Sequence, residues 1–371
     1  MVILALLWML ACVPKSVIAP EPAGPLAFPA DHGVHARAQT EWWYLQGVVH
    51  TVEGRRLGVF LSSVRHDVRR DRAAGVPVPW FGGDAVLMMA CVADLDTGER
   101  ISEKQAVGAV PSPISRLRHA EDWLSLRMGR FRQWGGGGRV TWDVPTKLGR
   151  LRIHMVPDSD PMPIGSREGP GSPSTGRTDV PSASFSYYVQ PRVRLMGELD
   201  GQPIVGDGWF EQQWGTMLSR DYMGWWWASL MLDDGTDVLA VRAQGRGGAP
   251  DFALATIRPQ GEPARQAQAF TLEATGWRTS DRTGVDYPDG LALVVPELAL
   301  DLTVRPERPE AVWKVLPAPL WEGPVQVEGT RGGAPIGGWG FTEFLLEGDL
   351  RGRDLYRSGG DRLRDEAAAE R

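Results

Sequence analysis

Cysteine is nearly absent from this chain of 371 residues: only Cys12 and Cys91 occur. If Cys12 is modified or removed, Cys91 stands alone and no disulfide can hold the fold. Cys91 lies in the apolar run Ala85 to Ala93 and reads as a small buried apolar residue rather than a nucleophile. Histidine is missing from the second half, since all six (His32, His35, His50, His66, His119 and His154) precede residue 155. His32 and His35 near Glu41 lack a further His or Cys pair at ligand spacing, so no metal is expected, and His35 is expected to fix a turn by hydrogen bonding. A Gly-x-Ser-x-Gly elbow, a P-loop and a strand-linked Gly-x-Gly-x-x-Gly are all missing, which leaves hydrolase and nucleotide-dependent readings without support and implies no cofactor. No basic block is interleaved with aromatics, and 40 basic against 46 acidic residues give a net charge of −6, so nucleic acid is not an expected partner. The apolar run Met1 to Ala11 is too short to span a bilayer as a helix.

That run resembles the core of an export signal, although no positive charge precedes it. Met9-Leu10-Ala11-Cys12 looks like a lipobox with Cys12 as the acylated residue; a second cut after Ala19 is opposed by Pro20. The expectation is an exported protein, periplasmic or membrane-anchored as a lipoprotein, touching the membrane only through its lipid.

What the chain has in abundance is turn formers and tryptophan: Gly 45, Pro 29 and Trp 16. With long helical periods scarce, this composition points to short strands joined by turns, and the length suits two domains. Leu45 to Thr51 and Arg56 to Arg65 read as two strands around a Glu53-Gly54 turn. Asp158 to Ser182, rich in Pro, Gly and Ser, reads as a loop or linker near the boundary between the halves. An internal echo relates Trp43-Tyr44, strand, turn, strand, Arg65 to Trp226-Trp227, strand, Asp234-Gly235 turn, strand, Arg242, suggesting two similar β units.

The chain is organised around Gly206 to Arg242, where Trp209, Trp214, Trp225, Trp226 and Trp227 surround Glu211, Gln212 and Gln213. Strand alternation puts Trp209, Glu211 and Gln213 on one face and Phe210, Gln212 and Trp214 on the other. Either face, turned inward, joins indole to a carboxylate or carboxamide, the lining that a greasy, weakly functionalised ligand needs. The alternative is a Trp-rich sheet core with its polar side in water.

DHGVHARAQTEWWYLQG resembles the opening signature of the AttH/CrtC lipocalin-like family, which includes carotenoid 1,2-hydratases and kievitone hydratase and shares its architecture with lipocalin-type Diels-Alderases. The matching residues are Asp31, His35 and Thr40-Glu41-Trp42-Trp43-Tyr44. Two more matches follow in order: Trp209 to Gly215, then Trp321-Glu322-Gly323 with Gly338-Trp339-Gly340-Phe341-Thr342-Glu343. The resemblance implies an all-β fold of two lipocalin-like antiparallel β-barrel domains in tandem, with ligand at a barrel mouth or between the barrels. On that basis we divide the chain into an export signal (1–19), a tether (20–30), an N-terminal domain (31–182), a C-terminal domain (183–350) and a charged tail (351–371).

Hydratases of the family carry Asp-His where this chain has Glu211-Gln212. Hydrating an isolated alkene needs a neutral acid in an apolar pocket and aromatic faces around the cation. Gln212 cannot supply a proton, so Glu211 is the acid if it faces inward; carboxamide and indole N–H groups equally suit holding a polyene or polyketide for cyclisation, or plain binding. Candidate catalytic residues are therefore Glu211, Gln212 and Glu41, and candidate ligand contacts are Trp42, Trp43, Tyr44, Trp209, Gln213, Trp214, Trp225, Trp227 and Glu343. Glu41 has a rival role as a structural carboxylate paired with an arginine such as Arg65, and Glu343 shares that ambiguity. The expected activity is binding of a hydrophobic metabolite or lipid, with an ABC-type transporter as a candidate partner. The alternative is a cofactor-independent hydratase, isomerase or cyclase acting on an isoprenoid or polyketide.

Overall fold

A computed structural model describes residues 25–346 apart from 69–71, 74–75, 78–83, 181–182, 216–221, 246–250 and 316–318. The export signal, Cys12 and the charged tail lie outside the described residues. Nearly everything described is antiparallel strand, with 3-10 turns at Ala30–His32 and Pro296–Leu298. No helix among the described residues is long and apolar enough to cross a membrane.

The first sheet contains β1 (Thr40–Thr51), β2 (Arg56–Asp67), β3 (Asp84–Asp94), β4 (Arg100–Val110), β5 (Ser115–Ala120) and β6 (Trp123–Met128). It continues with β7 (Phe131–Gly136), β8 (Arg139–Thr146), β9 (Gly149–Val156), β10 (Ala183–Leu199) and β11 (Gln202–Gly215). Its order is β4-β3-β2-β1-β11-β10-β9-β8-β7-β6-β5, so the two outermost strands are consecutive in sequence. A Ser112–Ser115 bridge brings their ends together, and the sheet curls into a barrel.

The second sheet contains β12 (Tyr222–Leu232), β13 (Asp237–Gly245), β14 (Phe252–Arg258), β15 (Thr271–Thr279), β16 (Asp286–Val295), β17 (Leu300–Pro306), β18 (Leu320–Arg331) and β19 (Ala334–Leu346). Its order, β14-β13-β12-β19-β18-β17-β16-β15, again sets the first strand beside the last. The echo in the sequence thus corresponds to equivalent hairpins, β1-β2 and β12-β13. Two antiparallel sheets curled into barrel and half-barrel shapes are the lipocalin-like architecture.

The boundary between the domains needs correction. β10 and β11 belong to the first barrel, whose closure depends on β11 lying beside β1 from Thr40↔Gly215 to Thr51↔Ile204. The first barrel therefore runs to Gly215 and the second begins at Tyr222, not near residue 183. The Pro/Gly/Ser-rich stretch is an excursion within the first barrel that straps onto the second. Gly165 N–H donates to Thr256 Oγ1 (3.0 Å), Ser174 N–H to Ala264 O (2.9 Å), and Gln266 N–H to Ser172 O (3.0 Å).

Alternation decides what each barrel buries. Trp43, Leu45, Trp142, Ile153 and Phe210 fill the first, each almost inaccessible to water. Trp226, Leu230, Leu293 and Trp321 fill the second. At roughly 1.5–3 kcal/mol per fully buried large apolar side chain, these interiors supply much of the drive to fold. The glycines of Gly206-Asp207-Gly208 permit the close β1–β11 approach: a Cβ on Gly206 would lie 2.0 Å from Val48 O, and one on Gly208 2.2 Å from Gln46 O. Cys91 is fully buried on the outer side of the first barrel, beside Tyr44, Phe60 and Trp313, as its apolar surroundings in sequence led us to expect.

Candidate functional site

Residues 40–49 of β1, 185–190 of β10 and 209–215 of β11 are largely buried on both faces, because their outer side packs against the second barrel. Tyr44 and Gln46 (β1), Tyr187 (β10) and Trp209 and Glu211 (β11) face that seam. From the second barrel come Trp225 and Trp227 (β12), Glu322 (β18) and Glu343 (β19). Register makes Tyr44 the direct neighbour of Glu211, and Trp227 that of Glu343; Glu343 is in turn directly opposite Glu322.

Three carboxyl groups thus gather at one seam, and among the described residues none of them is in an ion pair. Their partners are neutral. Tyr187 Oη donates to Glu211 Oε2, and Trp227 Nε1 donates to Tyr187 Oη at 3.2 Å. Tyr44 Oη lies 2.5 Å from Glu343 Oε2 and also against Glu322 Oε2, while Gln46 Nε2 donates to Glu322 Oε1 and Trp225 Nε1 to Glu343 Oε1 (2.6 Å). One phenol has one proton and cannot donate to two carboxylates together. For both short contacts to be hydrogen bonds, one carboxyl must carry a proton and donate it to the tyrosine oxygen.

Electrostatics leads to the same state. Burial, then the neighbouring Glu343 charge, pushes the Glu211 pKa well above the usual carboxylate value. The same two causes raise Glu322 strongly, overriding the hydrogen bonds from Tyr44 and Gln46. Burial also raises Glu343, against the pull of Tyr44 and Trp225. Tyr44 is pushed well above 10.0 by burial and by both acids. With no cation paired to them among the described residues, desolvation and like charge both favour the protonated form of these carboxyls. The indole N–H groups of Trp42 and Trp209 are buried without a hydrogen-bond partner among the described residues.

The candidate catalytic trio does not converge. Gln212 and Glu41 project from the opposite face of the strands that carry Glu211 and Tyr44, into a network at one end of the first barrel. Glu41, wholly buried, accepts from His35 N–H (3.0 Å), His35 Nδ1 (2.8 Å) and Gln212 Nε2 (3.0 Å), with Arg65 Nε 3.7 Å away. Gln212 also donates to Gly33 O at 2.7 Å and accepts from Tyr188 Oη at 2.9 Å. Glu41 thus lies beside Arg65, the arginine named for its structural reading, inside a hydrogen-bonded cluster. His35 ties the 31–41 turn and stacks on Trp214 at 3.5 Å. Burial lowers the His35 pKa, but Glu41 on one ring nitrogen and Asp31 on the other together raise it above 6.5. Burial brings His32, beside Tyr188, down to about 4.

Trp43 and Trp214 likewise belong to the interior of the first barrel, not to the seam. Trp42, Tyr44, Trp209, Gln213, Trp225, Trp227 and Glu343 are on the seam side, as ligand contacts need to be. Glu322, Tyr187 and Gln46 were not among the candidates. Glu322 stood within the third matching motif and could have been singled out as the acid of Trp-Glu-Gly; nothing in the sequence marks Tyr187 or Gln46. An open indole-lined hollow beside residues 209–214 was also expected. Neither of the two best-formed cavities is lined by those residues. One, of about 270 Å³, opens at the surface between Gly171, Arg265 and Glu297; the other, of about 20 Å³, adjoins Gln46, Phe60, Trp313 and Glu322. The second holds about one water molecule. In this conformation the seam is packed, and a ligand enters only if side chains move. Among the described residues, no three His, Cys, Asp or Glu side chains are placed to hold a metal ion.

Comparisons with known proteins agree with this architecture. An AttH protein from Nitrosomonas europaea superimposes with a TM-score of 0.72 at 21% identity, covering 88% of this chain and 99% of its own. Kievitone hydratase from Nectria haematococca gives 0.66 at 13% identity, covering 91% and 98%. CghA gives 0.51 at 13% identity, covering 84% and 90%. No curated protein matches the sequence significantly. The AttH-like family signature matches residues 19–347, and the chain belongs to that family.

Proposed function

We propose that the seam between the barrels binds an uncharged, hydrophobic metabolite and acts on it by proton transfer, as a cofactor-independent hydratase, isomerase or cyclase. The observation that carries this reading is the trio Glu211, Glu322 and Glu343, gathered at the seam with Glu322 and Glu343 buried and Glu211 partly so, with no ion pair among the described residues, and held by Tyr44, Tyr187 and Trp225. Clustered titratable groups with displaced pKa values mark functional sites more often than structural ones need them. Protonating an alkene or polarising a carbonyl calls for a neutral acid, and the surrounding indoles offer π faces to positive charge that develops on the ligand. The fold also carries kievitone hydratase, which supports hydration as one of the reactions considered.

Carriage without chemistry is the second reading. It is favoured by the fact that each of the three carboxyls already has intramolecular partners, so that the network serves to join the barrels. A transporter that receives the cargo belongs to this reading. Export, which rests on Met1 to Cys12 alone, places either activity outside the cytoplasm.

The test uses quenching of tryptophan fluorescence by uncharged polyenes and prenylated phenols, followed by product analysis in ¹⁸O-labelled water. Under the enzyme reading, Glu211→Gln or Glu343→Gln keeps quenching while turnover falls by about 10²–10⁴-fold. Bound but unchanged ligand supports carriage, and label in the product identifies hydration. Absence of quenching by every apolar ligand, or full turnover in both variants, overturns the assignment.

A further inference from the structure

The outer face of β5, β6 and β7 carries a row of arginines that form no ion pair among the described residues. Register sets Arg116 directly opposite Arg127, and Arg127 directly opposite Arg132. All three are exposed, as is Arg118 two residues along β5 on the same face. Among the described residues none of the four is in an ion pair; Arg127 Nε donates only to the carbonyl of its own turn, Gly129 O, at 3.3 Å. The same row continues across the sheet as Asp143, Arg152 and Glu198, where charges alternate and pair. Neutralisation therefore stops at β7. Like charges directly opposite one another destabilise a sheet. A chain with net charge −6 that keeps three of them in line presents a surface complementary to an external anion.

The end of this face nearest the arginine row bears an exposed aliphatic side chain. The turns following β4 and β6 meet there through Gly129 N–H donating to Ile114 O (2.8 Å), and Ile114 is 64% exposed with Arg130 exposed beside that contact. At the opposite end Trp123 adjoins Glu121 and Asp122, whose charge repels phosphate.

We propose that this end of the first barrel docks on the anionic surface of a lipid bilayer, Ile114 entering the headgroup layer while Arg116, Arg127 and Arg132 pair with lipid phosphates and carboxylates. A bilayer fits better than a nucleic acid because the arginine row ends at an exposed aliphatic side chain, which a headgroup layer accommodates, while the exposed indole stands at the acidic end.

The experiment is co-sedimentation of the full chain with phosphatidylcholine vesicles, with and without one third phosphatidylserine. Any attachment through Met1 to Ala11 is common to all variants, so differences between variants report the arginines. The wild type is expected to prefer anionic vesicles, the more so at low salt. The triple variant Arg116→Gln/Arg127→Gln/Arg132→Gln is expected to bind them about a hundredfold more weakly, at roughly fivefold per arginine, with an unchanged circular dichroism spectrum. Ile114→Ser is expected to weaken binding as well. Equal binding by wild type and triple variant, no preference for anionic vesicles, or an unaffected Ile114→Ser variant overturns the proposal. So does arginine-dependent binding confined to a single-stranded oligonucleotide.

Discussion

A carboxyl group taken out of water beside other acids is pushed above its ordinary pKa, and at the seam this happens to Glu211, Glu322 and Glu343. The consequence for stability has a definite sign. Glu211, Glu322 and Glu343 have folded pKa values above the 4.5 of a free glutamate, so above that pH the native state binds more protons than the unfolded state. Their stabilising effect is complete below about pH 4.5 and is lost as pH rises through the folded values. Thermal melts of the wild type between pH 5 and pH 9 should therefore decline with a slope that Glu322→Gln/Glu343→Gln flattens. An identical slope in the two proteins means that these groups do not titrate out of range. The residue missed from sequence, Glu322, is marked by its place in Trp321-Glu322-Gly323, but nothing local tells that this acid meets two others. Its meaning comes from Glu343 across the strand pair and from Tyr44 of the other barrel.

The closing pair β1-β11 shows how one strand serves two purposes. Period-two alternation sends Glu211 to the seam and Gln212 to the interior, and this division was legible in the string Trp209 to Trp214. That both faces are buried was not, because burial of the outer face depends on a second barrel formed from residues beyond 221. The inner face is held by Arg65, whose guanidinium donates to His35 O and Ala38 O at 2.9 Å each and to Asp84 at 3.1 Å, close to Glu41. Removing one member of a buried ionic cluster leaves the others uncompensated. Arg65→Met is expected to cost about 3–5 kcal/mol in urea unfolding. A loss below about 1 kcal/mol would show that the cluster does not secure the 31–41 turn. The arginine row on β5 to β7 belongs at this scale too. In sequence its members are dispersed among apolar residues and form no block, and only the register of the hairpins sets them side by side.

The two barrels are joined by more than the acid seam. Arg56 pairs with Glu307 at 2.9 Å, Arg308 donates to Leu95 O and Asp96 O, Arg192 pairs with Asp237 at 2.9 Å, and the 158–182 strap hydrogen-bonds to β14. Contacts so distributed couple the halves, and calorimetry is expected to give one transition with calorimetric and van't Hoff enthalpies equal. Two resolved peaks would mean that the barrels unfold independently and that the seam is weak enough to open alone, which would ease ligand entry. Sequence by itself determined the β class, the family, the doubled hairpin layout and the side of the strand on which each residue of 209–214 stands, because strand alternation and turn chemistry are local. Only tertiary structure decided that the first barrel keeps its strands through Gly215, that Glu41 and Gln212 meet on its inner side, and that Glu211, Glu322 and Glu343 share one seam. Strand pairing and barrel packing join residues far apart along the chain, and the low polarity that holds a proton on a carboxyl exists only after they have met.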